Sequence, residues 1–258
     1  MPDQSHYADK KSFFDRMLTI YGRKPVLETL RDTSLACHAL HLAESNREAG
    51  IVADIRQQAQ KNGIPIKIHS REALARISKN GKQDQGVALD VLCPSFQQLP
   101  HYLSEPTQKS QRLLALDGIN NPQNLGMILR SAAAGDIDGI ILPQKGTAAL
   151  GPLVVKASAG TLYRAPLLLH SALPEALKLC RNKGAQICIL EADAPLSLFS
   201  HRAEAFCVYV LGNETDGVSA QVKALADASL SIPMRNGVES LNVAVTASLI
   251  AYGPHLER

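Results

Sequence analysis

From Arg112 onward the chain alternates short apolar runs with stretches of helical periodicity, and this alternation restricts its fold more than any other feature. Residues 113–116, 139–142, 187–190, 207–211 and 230–232 read as strands. Residues 124–134, 173–183, 219–226 and 241–252 read as helices, with Gly135 and Gly184 as stops. Strands and helices in such succession build a mostly parallel sheet covered by helices on both faces.

A smaller α/β pattern precedes it. Val26, Leu27 and Leu30 place a short helix after Gly22, and residues 39–43 suggest a strand. Val52, Ile55, Gln58 and Ala59 share one helical face, which Gly63 ends. Residues 64–68 alternate like a half-buried strand, and residues 86–91 close the unit with another. Between the two patterns, residues 93–111 carry Pro94, Pro100 and Pro106 among many Ser and Gln, the composition of a linker. The expected organisation is an N-terminal α/β domain over 1–95, a linker over 96–111 and a larger domain over 112–258.

Several classes are excluded. With 258 residues, 45 % of them apolar, a packed core forms and wholesale disorder does not. No run approaches the roughly 20 apolar residues of a membrane span, and the polar N-terminus has no signal-peptide core. The cysteines, Cys37, Cys93, Cys180, Cys188 and Cys207, are odd in number and match no zinc spacing. Cys188 and Cys207 fall in strand-like runs and read as small buried hydrophobes. No residue implies a metal, and a reduced, cytoplasmic compartment is expected. The formal charge is +3, and all of the excess lies in residues 1–95, which carry 14 Lys+Arg against 11 Asp+Glu. That is a weak signal for a polyanionic partner.

Three segments follow strands and precede helices, where open parallel sheets bind ligands. In residues 116–132, Asn121 is a good N-cap and Pro122 fits the first helical position. Leu125, Ile128, Leu129 and Ala132 form the apolar stripe of that helix, with Gly126 and Arg130 one turn apart on the other side. Gly126 would leave room for a bulky partner. Arg130 is either a surface charge or a ligand-facing group, and spacing alone leaves both open. In residues 210–219, Gly212 and Gly217 allow tight turns and a close backbone approach. The segment lacks the Lys and Ser/Thr of a phosphate-binding P-loop, and it could equally be a plain strand–turn–helix connection. In residues 231–253, Gly237 turns the chain, Ser240 is positioned to cap the next helix, and Asn242 falls in its first turn. That helix is apolar on most sides, so it should be buried, plausibly in a subunit interface.

Together these segments resemble the SpoU-type ribose 2′-O-methyltransferases of the SPOUT superfamily. Asn124-Leu125-Gly126-Met127-Ile128-Leu129-Arg130 is similar to the first motif of that family, and residues 211–217 (LGNETDG) to the second. Ile232-Pro233-Met234, continuing through Glu239-Ser240-Leu241-Asn242-Val243-Ala244, is similar to the third. Residues 21–26 (YGRKPV) and 84–88 (DQGVA) are similar to the ends of the small substrate-binding domain of its ribosomal-RNA branch, although Asp84 stands where His is expected before Gln-Gly.

The resemblance implies a C-terminal trefoil knot, S-adenosyl-L-methionine as cofactor, and a homodimer using the last helix. It implies transfer of a methyl group to a ribose 2′-hydroxyl of structured RNA, with 23S ribosomal RNA favoured over transfer RNA. A non-catalytic RNA-binding protein on the same fold is the alternative. Carried over residue by residue, Arg130, Asn124, Glu214, Ser240 and Asn242 would be catalytic. Gly212, Ile232 and Leu241, with Leu211 and Met234 beside them, would bind the cofactor. Arginine is effectively always protonated, so Arg130 suits an RNA phosphate and a developing alkoxide better than the role of base. Arg23, Lys24, Arg47 and Arg71 are candidates for phosphate contact. With aromatics at 4 % and no Trp, recognition of RNA shape and backbone is favoured over base stacking.

Overall fold

The computed structural model of the chain describes residues 13–106 and 110–256. Residues 1–12, which belong to the stretch expected to lack a signal-peptide core, lie outside the described residues. No helix among the described residues is long and apolar enough to cross a membrane. The chain divides into two compact units, one formed by residues up to 94 with 150–152, the other by 95–149 and 153 onward.

The first unit contains β1 (Met17–Tyr21), α1 (Arg23–Arg31), β2 (Ala36–Ala43), α2 (Ile51–Lys61), β3 (Ile66–His69), α3 (Arg71–Ser78) and β4 (Val87–Leu92). Its sheet runs β1-β4-β2-β3, with β4 antiparallel to both neighbours and β3 parallel to β2. Alternation along the strands buries Leu40, Leu42, Leu89 and Val91. The opposite face packs Ala43 and Ala88 against Leu74 of α3. Helix α3, which periodicity did not reveal, starts where the Ser70 side chain accepts the Ala73 N–H. The half-buried pattern expected for β3 fails at Ile68, which is 51 % exposed, because β3 is the sheet edge and burial fades along it.

The second unit opens with β5 (Gln97–Gln98) and α4 (Leu99–Tyr102). These fill part of the stretch expected as a linker: Phe96 and Leu99 are buried, and β5 pairs with β8. There follow β6 (Gln111–Leu116), α5 (Pro122–Ala134), β7 (Gly139–Pro143), α6 (Pro152–Ala157), a 3-10 turn (Thr161–Arg164), β8 (Leu167–His170) and α7 (Leu173–Asn182). The chain ends through β9 (Gln186–Leu190), β10 (Leu196–Ser197), β11 (Phe206–Leu211), α8 (Ala220–Lys223), β12 (Ala228–Ser231) and α9 (Val243–Leu256).

The sheet order is β10-β12-β9-β11-β6-β7-β8-β5, and every pairing is parallel. All of β7 is buried, as are β6 from Leu113 and β11 from Cys207, as strands covered on both faces require. On one face Leu113, Ile141, Ile187 and Val208 join Leu173, Ala176 and Leu177 of α7 in one core cluster. On the other, α5 and α9 pack side by side, and the Ser248 hydroxyl of α9 donates to the Ser131 hydroxyl of α5 at 2.8 Å.

Candidate active site

Asn121 sets the start of α5 as expected. Its side-chain oxygen accepts the N–H groups of Gln123 at 2.8 Å and Asn124 at 3.4 Å. The start of α9 differs from expectation. The helix begins at Val243, and Asn242 rather than Ser240 caps it, its Oδ1 accepting the Ala244 N–H at 2.8 Å. Ser240 lies two residues outside, in an exposed loop.

These caps bring the three segments together. Asn124 is buried, 7 % exposed. Its Oδ1 accepts from Asn242 Nδ2 at 3.1 Å, and its own Nδ2 donates to Glu214 Oε1. One side chain from each segment thus meets in a single hydrogen-bonded chain. In front of it lies a cavity of about 720 Å³ at the carboxyl ends of β9, β11 and β12. Leu211, Gly212, Glu214, Ile232, Met234, Ser240, Leu241 and Asn242 all line it. Asn124 stands behind this lining through its hydrogen bonds. Arg130 does not line the cavity; it is exposed on α5.

Gly212 lines the cavity and also serves the packing of its own loop. A Cβ there would lie 2.0 Å from the carbonyl carbon of Gly217, because residues 213 and 217 form a bridge across the loop. Asn213 N–H donates to the Gly217 carbonyl at 3.1 Å, and Gly217 N–H to the Asn213 carbonyl at 3.1 Å. The Asn213 side chain also accepts the amides of Thr215 and Asp216, closing the turn. Gly126 likewise leaves no open room. A Cβ there would meet Ala157 Cβ at 2.5 Å and the Val154 carbonyl at 2.8 Å, so the glycine admits α6.

Sequence reasoning missed the acidic rim. Glu191 and Asp193 follow β9 into the cavity, and Lys223 reaches in from α8. Lys223 Nζ lies 2.7 Å from Glu191 Oε1, and the Ser229 hydroxyl donates to Glu191 at 2.8 Å. The bond from Lys223, followed by that from Ser229, holds the Glu191 carboxyl below its ordinary range. Their position just past a strand's carboxyl end was the available signal.

In the first unit, Arg23 is the most constrained of the basic candidates. Its guanidinium donates to the Gln85 carbonyl at 3.3 Å and to Asn46 Oδ1 at 3.2 Å, and Asn46 Nδ2 donates to the Gly86 carbonyl. Lys24, Arg47 and Arg71 are exposed. Asp84 is buried and accepts from the Ser78 hydroxyl and the Gly86 N–H, which explains a carboxylate at that position.

A parallel sheet with a small-molecule crevice at its strand ends, bounded by asparagine-linked loops, defines an α/β enzyme domain. Residues 111–252 match the model of the SpoU rRNA methylase family, and residues 19–95 match that of the RNA 2′-O ribose methyltransferase substrate-binding domain. An uncharacterized tRNA/rRNA methyltransferase of Mycolicibacterium vanbaalenii is 34 % identical over 233 residues, covering 90 % of this chain and 74 % of its own. One from Mycobacterium leprae is 33 % identical over 237 residues, covering 92 % and 76 %. The solved structure of the SpoU methyltransferase AviRb from Streptomyces viridochromogenes, in complex with AdoMet, aligns with a TM-score of 0.63 at 19 % identity, covering 100 % of this chain and 94 % of that one. The AdoMet-bound rRNA methyltransferase of Sinorhizobium meliloti aligns with a TM-score of 0.63 at 20 % identity, covering 98 % and 91 %. This chain belongs to the SpoU family of RNA methyltransferases. Enzymes of that family use S-adenosylmethionine.

Proposed function

We propose that this protein transfers a methyl group from S-adenosylmethionine to a ribose 2′-hydroxyl of ribosomal RNA, acting in the cytoplasm as a homodimer. The observation that carries this reading is the Asn242–Asn124–Glu214 chain, which gathers three separate segments around one cavity.

The residues present fit the cofactor. A volume of about 720 Å³ suits a nucleoside-sized ligand. Leu211, Leu230, Ile232 and Leu241 offer apolar walls for a purine, while Glu191, Asp193 and Glu239 offer carboxylates to hydroxyl and cationic groups. When bound, S-adenosylmethionine supplies a methyl group on a sulfonium centre. The chain's own residues position and polarise the acceptor. Asn124 and Asn242 fix the loops. Ser240 and Glu214 present polar groups at the cavity wall, where a ribose would be held. Arg130, permanently charged, binds an RNA phosphate and stabilises negative charge developing on the 2′-oxygen.

Arg130 lies outside the crevice of its own chain, so this role calls for a second chain. The exposed apolar side chains Leu241, Val245 and Tyr252, with Met127 on α5, favour pairing through α9. In such a dimer Arg130 of one chain would serve the crevice of the other. Membership of the SpoU family and the likeness in fold to SpoU methyltransferases support a trefoil knot in the same region. The first unit matches an RNA substrate-binding domain, and a separate unit for holding a large structured RNA is our ground for favouring ribosomal over transfer RNA.

The test is transfer of labelled methyl to ribosomal and transfer RNA from a deletion strain, followed by mapping of the modified nucleotide. One 2′-O-methylated nucleotide in 23S RNA is expected. Arg130→Ala should abolish turnover yet keep cofactor affinity, and mixing it with Asn242→Ala chains should restore part of the activity. Transfer to tRNA alone would overturn the substrate. RNA binding without any transfer would favour the non-catalytic alternative.

A further inference from the structure

Away from the crevice, three side chains with metal-ligand chemistry converge on one face of the sheet. Cys188 lies in β9 and Cys207 in the neighbouring β11. The register pairs Cys188 with Tyr209 and Gln186 with Cys207, so both thiols project to the same side, offset by two residues. His201, in the loop between β10 and β11, reaches across them. Cys188 Sγ is 3.7 Å from Cys207 Sγ and 3.5 Å from His201 Nε2. All three ligand atoms lie within 4.8 Å of one another.

Those separations are informative. Tetrahedral zinc with Zn–S of about 2.3 Å and Zn–N of about 2.0–2.1 Å has S···S edges near 3.8 Å and S···N edges near 3.6 Å. A disulfide would need sulfurs about 2.05 Å apart. Both cysteines are free thiols with no exposed surface. Without a metal, Cys207 donates to Cys188, and Cys188 Sγ lies within sulfur hydrogen-bond distance of His201 Nε2, so the three side chains already form one polar cluster rather than hydrophobic filler. The imidazole is itself oriented: the Tyr209 ring stands edge-on to it, with centroids 6.4 Å apart, and the Arg112 guanidinium lies 5.4 Å from the Tyr209 centroid. Beside the cluster is a cavity of about 510 Å³, bordered by His201, Tyr209, Arg112 and Ile250, which His201 separates from the two thiols.

We propose that Cys188, His201 and Cys207 form a binding site for a zinc ion, with a solvent molecule as fourth ligand. Two sulfurs and an imidazole select zinc over magnesium or calcium, which require oxygen ligands. Coordination forms two Zn–S bonds and one Zn–N bond and releases the thiol protons to solvent. The ion would pin the 198–205 loop to β9 and β11. Because β11 ends at Leu211, immediately before Gly212, the clamp would stabilise the strand that delivers the crevice loop. It takes no part in methyl transfer, and it stands whether or not the methyltransferase reading does.

The test uses the tag-free full chain purified under reducing conditions. After incubation with Zn²⁺ and gel filtration, one zinc ion per chain is expected. Cobalt(II) in its place should give thiolate-to-metal charge-transfer absorption and the intense visible bands of a tetrahedral site. Cys188→Ser and Cys207→Ser should lose the metal, whereas Cys93→Ser should retain it. Should the buried variants fail to fold, His201→Gln on the loop decides the matter, with folding verified by circular dichroism: it should lose stoichiometric zinc. Substoichiometric binding by the unaltered chain, a cobalt spectrum without thiolate bands, or wild-type binding by His201→Gln would each overturn the proposal. So would a Cys188–Cys207 disulfide, seen as a mass lower by two hydrogens, whose reduction brings no metal binding.

Discussion

Replacing Gly212 by alanine should damage cofactor binding far more than loss of a small residue suggests. The added Cβ would sit 2.0 Å from the Gly217 carbonyl carbon, 2.2 Å from its oxygen and 2.3 Å from the Val218 nitrogen. Comfortable contact requires about 3.5 Å, so the facing backbone must retreat by more than about 1 Å. Gly212 does not have a positive φ, so the obstacle is steric rather than conformational. Retreat breaks both hydrogen bonds between Asn213 and Gly217. At about 1 kcal/mol per hydrogen bond and about 1–3 kcal/mol for overpacking, the distortion costs about 3–5 kcal/mol. If only about 2 kcal/mol of this must be reversed on binding, affinity for S-adenosylmethionine falls about 30-fold. Isothermal titration measures this, with circular dichroism to verify the fold. Gly217→Ala is the contrasting case. Its Cβ meets nothing within 4 Å, but its φ of 65° costs an alanine about 1–2 kcal/mol, so a smaller loss is expected. Wild-type affinity and melting temperature in Gly212→Ala, or a larger effect at Gly217, would refute the steric argument.

Asn124→Ala removes the central member of the hydrogen-bonded chain, and with it two bonds worth about 0.5–1.5 kcal/mol each; a loss of about 1–3 kcal/mol is expected, read as a fall of about 5- to 150-fold in kcat/KM. Gly126→Ala gains about 1 kcal/mol in helix propensity but forces a methyl group against the α6 backbone, so the melting temperature should fall by a few degrees, whereas a rise would show that α6 yields freely. Acid should weaken the first unit. Burial raises the Asp90 carboxyl, but hydrogen bonds from His41 and Thr19 outweigh it and leave its pKa below the ordinary value. Burial, then His41 and Lys67, depress the His69 pKa. Both folded values lie below the unfolded ones, so their stabilisation is present at neutral pH and is lost as pH falls, first for His69 below about 6.5 and then for Asp90 below about 4. Denaturant titrations across that range should show the decline, with His69→Gln flattening its upper part.

Legibility followed local cause. The central strands were readable because β6, β7 and β11 are apolar through most of their length, and the start of α5 because Asn121 and Pro122 fit only one role. Helix α3 escaped because its eight residues bury only Leu74 and Ser78. Elements β5 and α4 hid in a Pro-rich stretch whose tertiary pairing with β8 no local pattern announces. The choice between Ser240 and Asn242 as cap turned on which side chain reaches the Ala244 amide, a matter of loop geometry. The crevice residues were found through motif resemblance. The position of Arg130 outside it, and the backbone crossing beneath Gly212, required three-dimensional neighbours. Cys188, His201 and Cys207 match no ligand spacing because a strand, a loop and another strand supply them separately.

Asn242 has a consequence for which sequences this protein can tolerate. Its carbonyl oxygen starts α9 by accepting from Ala244, while its amide nitrogen donates to Asn124 behind the cavity. An aspartate would keep the first bond and lose the second, because a carboxylate has no N–H to give. A serine would have one short hydroxyl to divide between two partners set in different directions. Most residues favoured at helix starts are therefore poor replacements here. A substitution that spares the helix would still loosen the crevice, so the position can drift only if Asn124 changes with it.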